Sequence, residues 1–160
     1  MKTLIAISDT HGSGEPLFEL IPRIEENDFT VHLGDGFTDF KSVYGQFPKK
    51  TYAVRGNCDF FQSLPEEEVL EIEQSRILCC HGHFYGAKKG LDGLLARAKA
   101  LDCNVVLYGH THRADITEQE GILLVNPGTL RLPMSGGGSY AYLVINGKKV
   151  TAVIVGNPMY

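Results

Sequence analysis

The stretch Leu4-Ile5-Ala6-Ile7-Ser8-Asp9-Thr10-His11 decides how this chain is read. Four apolar residues are followed at once by a carboxylate and, two positions on, an imidazole. This reads as a buried strand that ends in a polar cluster. In an extended segment residues i and i+2 point to the same side, so an Asp9 oxygen and a His11 nitrogen can converge. Taken alone, the cluster is an ordinary turn, because Asp, Gly and Ser suit turns. The pattern repeats, however. Phe29-Thr30-Val31-His32-Leu33 runs into Gly34-Asp35-Gly36, and Thr51-Tyr52-Ala53-Val54 leads to Gly56-Asn57-Cys58-Asp59. Arg76-Ile77-Leu78-Cys79-Cys80 runs into His81-Gly82-His83, and Asn104-Val105-Val106-Leu107-Tyr108 into Gly109-His110-Thr111-His112. Five of the six histidines lie in these clusters, and the same arrangement at five strand ends points to one shared site. Carboxylate oxygen, amide oxygen and imidazole nitrogen together suit a borderline divalent metal such as manganese, iron or zinc. His32 differs: inside an apolar strand it reads as a hydrogen-bonded structural histidine. Asp59 reads as a supporting partner or cap.

Between these strands the apolar spacing turns helical. Glu15 to Glu26 carries Leu17, Leu20, Ile21 and Ile24 at helical period, with Pro16 suited to a first turn. Residues 37–47 read as a short helix, and Leu91 to Leu101 as another. Glu66 to Ile72 and Arg76 to Cys80 read as consecutive strands. After His112 the chain becomes strand-rich. Ala114–Thr117 and Ile122–Val125 flank a Glu120-Gly121 turn, and Tyr140–Ile145 and Val150–Val155 flank Asn146-Gly147, a strong hairpin signal. Ser135 to Gly138 reads as a loop. This is an α/β chain, with two facing β-sheets flanked by helices. Ligand sites in such sheets lie beyond the carboxyl ends of strands, where the clusters fall.

A length of 160 residues fits a single domain over 1–160. The net charge of −4 gives no support for a general nucleic-acid or membrane-surface binder. No apolar stretch approaches the roughly 20 residues of a membrane span, and no signal-peptide pattern opens the chain. The four cysteines form no Cys-x-x-Cys pair and read as free thiols, which fits a reducing cytoplasm.

In order and context, Asp9-x-His11, Gly34-Asp35, Gly56-Asn57, His81 and Gly109-His110-x-His112 resemble the calcineurin-like metallophosphoesterases. They look closest to the small single-domain phosphodiesterases, a branch that also contains the retromer subunit of this fold. The resemblance spans about residues 3–131, and Asn126-Pro127-Gly128-Thr129 resembles the motif that follows the site in that branch. It implies a four-layer α/β/β/α sandwich and a phosphodiesterase that uses a metal-bridging hydroxide as nucleophile. Two divalent ions are implied, manganese first, with nickel, cobalt, iron or zinc as alternatives. Asp9, His11 and His112 would hold one ion; Asn57, His81 and His110 the other; Asp35 would bridge them. The implied catalytic residues are Asp35, Asn57, Cys58 and His81, and His83 would support the site or touch substrate.

One departure matters. Many relatives carry histidine directly after the Asn of the third cluster, where this chain has Cys58. The closest branch commonly shows cysteine there too. A neutral thiol is a weak donor, which favours good leaving groups and diesters over monoesters. A competing reading is a scaffold or interaction module that kept the fold and lost turnover. All seven ligand positions hold ligand-capable residues, which favours the enzyme. A dinucleotide-binding oxidoreductase fails, because the first strand is not followed by the glycine fingerprint. Rim candidates for substrate contact are Phe60, Phe61, Tyr85, Lys88, Lys89 and Arg131. The expected partner is a small phosphodiester, and the strand-rich last third, ending in Asn157-Pro158-Met159-Tyr160, offers an edge for a homo-oligomer.

Overall fold

In the computed structural model, residues 1–12, 14–60, 62–130 and 138–156 are described. Phe61, Arg131, most of the 135–138 loop and residues 157–160 therefore lie outside the described residues. The elements follow the order β1 (Lys2–Ile7), α1 (Glu15–Glu26), β2 (Phe29–His32), α2 (Phe37–Gln46), β3 (Thr51–Ala53), β4 (Glu67–Ile72) and β5 (Ser75–Cys80). Then come a 3₁₀ turn (His83–Tyr85), α3 (Asp92–Ala100), β6 (Val105–Leu107), β7 (Ala114–Gln119), β8 (Ile122–Pro127), β9 (Ser139–Asn146) and β10 (Lys149–Gly156). No helix among the described residues is long and apolar enough to cross a membrane.

Among the described residues, ten strands form two mixed sheets of five, ordered β10-β9-β1-β2-β3 and β4-β5-β6-β8-β7. Within the first, β1, β2 and β3 are parallel; within the second, β5, β6 and β8 are parallel. The remaining pairs are antiparallel. The alternation of β1 explains the layering. Leu4 and Ala6 face the second sheet, packing with Ile77, Cys79, Val105, Leu107 and Val125. Ile5 and Ile7 face the other way, onto Leu17, Leu20 and Ile24 of α1 and Phe40 and Val43 of α2. The outer face of the second sheet uses Leu78, Val106 and Leu124 to cover Leu94, Leu95 and Ala98 of α3. This is the expected α/β/β/α sandwich. Strands buried on both faces explain why β1, β5 and β6 are apolar runs and not alternating ones.

Differences from expectation are local. The β9–β10 hairpin pairs Asn146 with Lys149, so its two loop residues are Gly147 and Lys148, one position later than an Asn-Gly centre would give. Gly147 has φ 65° while Lys148 stays out of the left-handed region, as a turn with glycine first requires. The 3₁₀ turn at His83–Tyr85 was not expected; it is bracketed by Gly82 and Gly86, both left-handed.

A candidate metal centre at six strand ends

The carboxyl ends of the six parallel strands carry the polar clusters, and backbone bonds tie these loops together. Asp9 N–H donates to Gly34 O (3.0 Å) and His11 N–H to Asp35 O (3.1 Å), joining the loops after β1 and β2. Gly109 N–H donates to His81 O (3.0 Å), joining those after β6 and β5, and Leu130 N–H donates to Ser8 O (3.1 Å). Such close approach needs glycine. A Cβ on Gly56 would lie 2.1 Å from Asp35 Oδ1, and one on Gly109 would lie 2.0 Å from Ser8 Oγ.

Eight described non-glycine residues have positive φ, and five of them are Asp9, His11, Asp35, His110 and His112. The other three, Glu73, Asp102 and Glu120, sit in turns. Left-handed backbone costs about 1 kcal/mol or more per side chain and persists only where surroundings enforce it. Its concentration here is a direct sign that these side chains are being aimed.

They are aimed at one another. Asp9 is fully buried. Its Oδ2 accepts from Ser8 Oγ (2.5 Å) and from His110 N–H (3.1 Å). Its Oδ1 has no hydrogen-bond partner and instead faces three imidazole Nε2 atoms: His112 at 3.2 Å, His11 at 3.5 Å and His81 at 3.9 Å. His11 Nε2 and His112 Nε2 are 3.0 Å apart. Asp35 lies beside this trio. Its Oδ1 accepts from Cys58 N–H (2.7 Å), while Oδ2 is 3.2 Å from His81 Nε2 and 3.9 Å from His11 Nε2. His81 donates from Nδ1 to Leu33 O (2.8 Å), which turns Nε2 toward Asp35 and toward His110 Nδ1 at 3.2 Å. Three overlapping donor sets result: Asp9, His11 and His112; Asp35, His81 and His110; and His11, Asp35 and Cys58, with donor atoms within 4.8 Å in each. The structure thus brings six of the seven expected ligands into convergence. Asn57 stands at the rim with Cys58, both exposed, its amide donating to Cys58 Sγ at 3.5 Å.

An unpartnered buried carboxylate oxygen is costly unless a positive charge faces it. The donors here, carboxylate oxygens and imidazole nitrogens with few competing bonds, fit divalent cations. The proton equilibria agree. Burial would raise the Asp9 pKa, but His11 and His112 outweigh it and hold the carboxyl well below the usual range. Asp35 is lowered as well, burial being outweighed by His81 and the Cys58 N–H. Burial works against a charged His81, yet Asp35 and Asp9 raise its pKa. His110 is lowered by burial and by His81. Where carboxylates hold protons on imidazoles, a metal ion can take the protons' place.

Behind the donors lies a frame that the sequence only partly indicates. The Asp59 carboxylate is buried and accepts four backbone N–H groups: Asp35 (2.8 Å), Gly36 (2.9 Å), Phe37 (3.1 Å) and Gly56 (2.8 Å). It therefore caps the start of α2 and locks the Asp35 loop to the Asn57 loop. His32 is structural, as expected: Nδ1 accepts from Gly34 N–H (3.1 Å), Nε2 lies 3.2 Å from Thr10 Oγ1, and burial lowers its pKa to about 4. Asn126 buttresses the other side. Fully buried, it donates through Nδ2 to Gly109 O and Thr111 Oγ1, both at 3.0 Å. Reasoning from sequence missed this role; the one signal was its Pro-Gly neighbour at the end of a buried strand.

Several rim residues are also settled. His83 packs on Phe84 with ring centroids 4.2 Å apart and lies 5.3 Å from His81, its Nδ1 without a partner. Phe60, 71% exposed, lines a cleft of about 400 Å³ with His11, Thr38, Cys58 and Gln62. Tyr85 is turned elsewhere, its hydroxyl donating to Glu67 (2.9 Å) beside Arg97.

Comparisons with known proteins agree with this geometry. Residues 1–148 match the model of the calcineurin-like phosphoesterase superfamily domain. A probable metallophosphoesterase of Bacillus subtilis, YsnB, is 36% identical over 154 residues, covering 94% of this chain and 88% of the relative. The phosphodiesterase YfcE of Escherichia coli is 30% identical, covering 99% of this chain and 100% of the relative. The structure of vacuolar protein sorting 29 from Cryptosporidium parvum superposes with a TM-score of 0.76 at 20% identity, covering 97% of this chain and 98% of that one, a likeness of fold alone.

Proposed function

The chain belongs to the calcineurin-like phosphoesterase superfamily, and on that premise we propose that it is a dinuclear metal-dependent phosphodiesterase acting on a small phosphodiester, with residues 1–160 as one domain. Asp9 Oδ1 carries the reading: a buried carboxylate oxygen with no hydrogen-bond partner, ringed by three imidazole nitrogens. Asp9, His11 and His112 would hold one ion, Asn57, His81 and His110 the other, and Asp35 would touch both. Manganese suits this oxygen–nitrogen set, and nickel, cobalt, iron or zinc could replace it. When bound, two such cations supply the Lewis acidity that makes hydroxide from water near neutral pH and offset charge on the phosphoryl oxygens. The free state of all four thiols supports a cytoplasmic setting.

The chain's own residues do the positioning. Leu33 O fixes the His81 ring through Nδ1. The Cys58 N–H holds Asp35 Oδ1, so that Oδ2 is free to face the imidazoles. The cleft beside Phe60 and Thr38 has room for one ester substituent. Cys58 lines this cleft beside Asn57 and would face a leaving group there. Burial and the nearby Asp35 raise its thiol pKa, so it stays neutral and a weak donor near pH 7.

Two measurements test this reading. Dialysis against a chelator is expected to reduce hydrolysis of bis(p-nitrophenyl) phosphate to background, and added manganese to restore it together with a rise in Tm. Undiminished turnover in the chelated protein would refute the metal mechanism. With manganese saturating, kcat/KM for bis(p-nitrophenyl) phosphate is expected to exceed that for p-nitrophenyl phosphate by about tenfold or more, because the chain lacks an imidazole acid beside Asn57. Cys58→His should narrow the gap. A faster monoester reaction in the unaltered protein would overturn the assigned role of Cys58.

A further inference from the structure

The donor cluster has two flanks of opposite character. On the first, the cleft beside Phe60 is lined by no lysine or arginine among the described residues. On the second lies a cavity of about 610 Å³ bounded by Lys88, Tyr108, Thr111, Arg113, Ala114 and Asp115. These residues interleave with the donors: Tyr108 and Thr111 stand on either side of Gly109-His110, and Arg113 directly follows His112. Lys88 approaches from the segment after the 3₁₀ turn.

The charges of this second cavity are uncompensated. Lys2, Arg55, Arg76, Arg97 and Lys99 each meet a carboxylate. Lys88 and Arg113 are among the described basic residues with no such partner, and both are exposed. The cavity's one carboxylate, Asp115, already accepts from Thr117 Oγ1 (2.7 Å). Two cations against one engaged carboxylate give a local positive field in a chain whose net charge is −4. The wall is also built firmly. Thr111 Oγ1 is held by the buried Asn126, and Arg113 N–H donates to that same oxygen (3.2 Å). Tyr108 is almost wholly buried beneath. A guanidinium fork and an ammonium lining one cavity are a pair suited to a phosphate.

We propose that this second cavity binds a further phosphate of the substrate, so that the natural phosphodiester carries an additional phosphoryl group on the side away from Phe60. The inference rests on the phosphodiesterase reading above. It gives the substrate a direction: an uncharged substituent in the Phe60 cleft, the ester at the donors, and the extra phosphate between Lys88 and Arg113.

A matched pair of probes tests it: the p-nitrophenyl ester of thymidine 5′-phosphate, and the same ester bearing a 3′-phosphate. In the manganese-loaded protein the 3′-phosphate is expected to lower KM about tenfold, as one charge-assisted contact does. In the double variant Lys88→Ala/Arg113→Ala the ratio of the two KM values should approach one. Binding of the non-hydrolysed ligands thymidine 3′,5′-bisphosphate and thymidine 5′-phosphate, followed by calorimetry, provides a readout independent of turnover. A bisphosphate preference in the unaltered protein that disappears in the double variant supports the cavity even where neither ester is cut, an outcome that would remove the phosphodiesterase reading alone. Equal affinities for both ligands, or a preference that survives the double substitution, would overturn it.

Discussion

Asp35→Asn is expected to lower kcat/KM for bis(p-nitrophenyl) phosphate by on the order of 10³-fold or more while the chain still folds. The substitution changes little in shape. Asn retains an oxygen for the Cys58 N–H (2.7 Å in the native site), and the Asp35 N–H bond to Asp59 is a backbone bond that survives. What is lost is the charge of the one carboxylate that belongs to two of the overlapping donor sets. An amide also presents either an oxygen or a nitrogen to His81 Nε2, where the native chain has a carboxylate oxygen at 3.2 Å. Metal content should fall together with activity, and circular dichroism should keep its native shape. Unchanged turnover in this variant would end the shared-site model.

Asp59→Ala is expected to have the largest effect on stability although Asp59 would touch no ion. Truncation strands four N–H groups, those of Asp35, Gly36, Phe37 and Gly56, in a largely buried spot. Each buried unsatisfied donor costs about 1–3 kcal/mol, and partial rehydration brings the sum to about 3–5 kcal/mol. For a chain of this size that corresponds to a Tm lower by about 10 °C. Activity should drop too, because the loops carrying Asp35 and Asn57 lose their common tie. The stabilisation depends on pH in a definite sense. Burial raises the Asp59 pKa, but the four N–H bonds outweigh it and hold the folded-state value below the ordinary one. Its contribution is therefore complete above the unfolded-state pKa of about 3.9 and disappears as pH falls through the lower folded value. The native protein should lose stability on acidification below about pH 4 more steeply than Asp59→Asn, which cannot titrate there. A Tm for Asp59→Ala within 2 °C or so of the native value would contradict the capping role.

Much of this architecture is legible in the sequence. Apolar runs such as Leu4 to Ile7 and Val105 to Leu107 are buried on both faces, so periodicity and position agreed, and helical spacing located α1 and α3. The donors were legible because each follows a strand directly. What stayed hidden is three-dimensional bonding between distant loops. Nothing in Gly56-Asn57-Cys58-Asp59 says that the last residue would gather four backbone groups from two segments. Nothing in Asn126 says that it would support a loop fifteen positions earlier. The shifted β9–β10 turn escaped because Asn-Gly marks a hairpin but does not alone fix which two residues form its loop.

The first donor trio joins Asp9 and His11 to His112, across a separation of 101 residues for the closest imidazole pair. That spacing has a meaning in time. Of the three donor sets, that of His11, Asp35 and Cys58 is complete early on a growing chain, whereas the two that use His110 and His112 are incomplete until those residues emerge. An ion held by either of the later sets would be captured only after the first six strands have been translated. An ion so held would clasp the first strand of one sheet to loops of the other. Its release should therefore be felt as loosening of the entire sandwich, with hydrogen exchange rising at both sheets together and not at one loop.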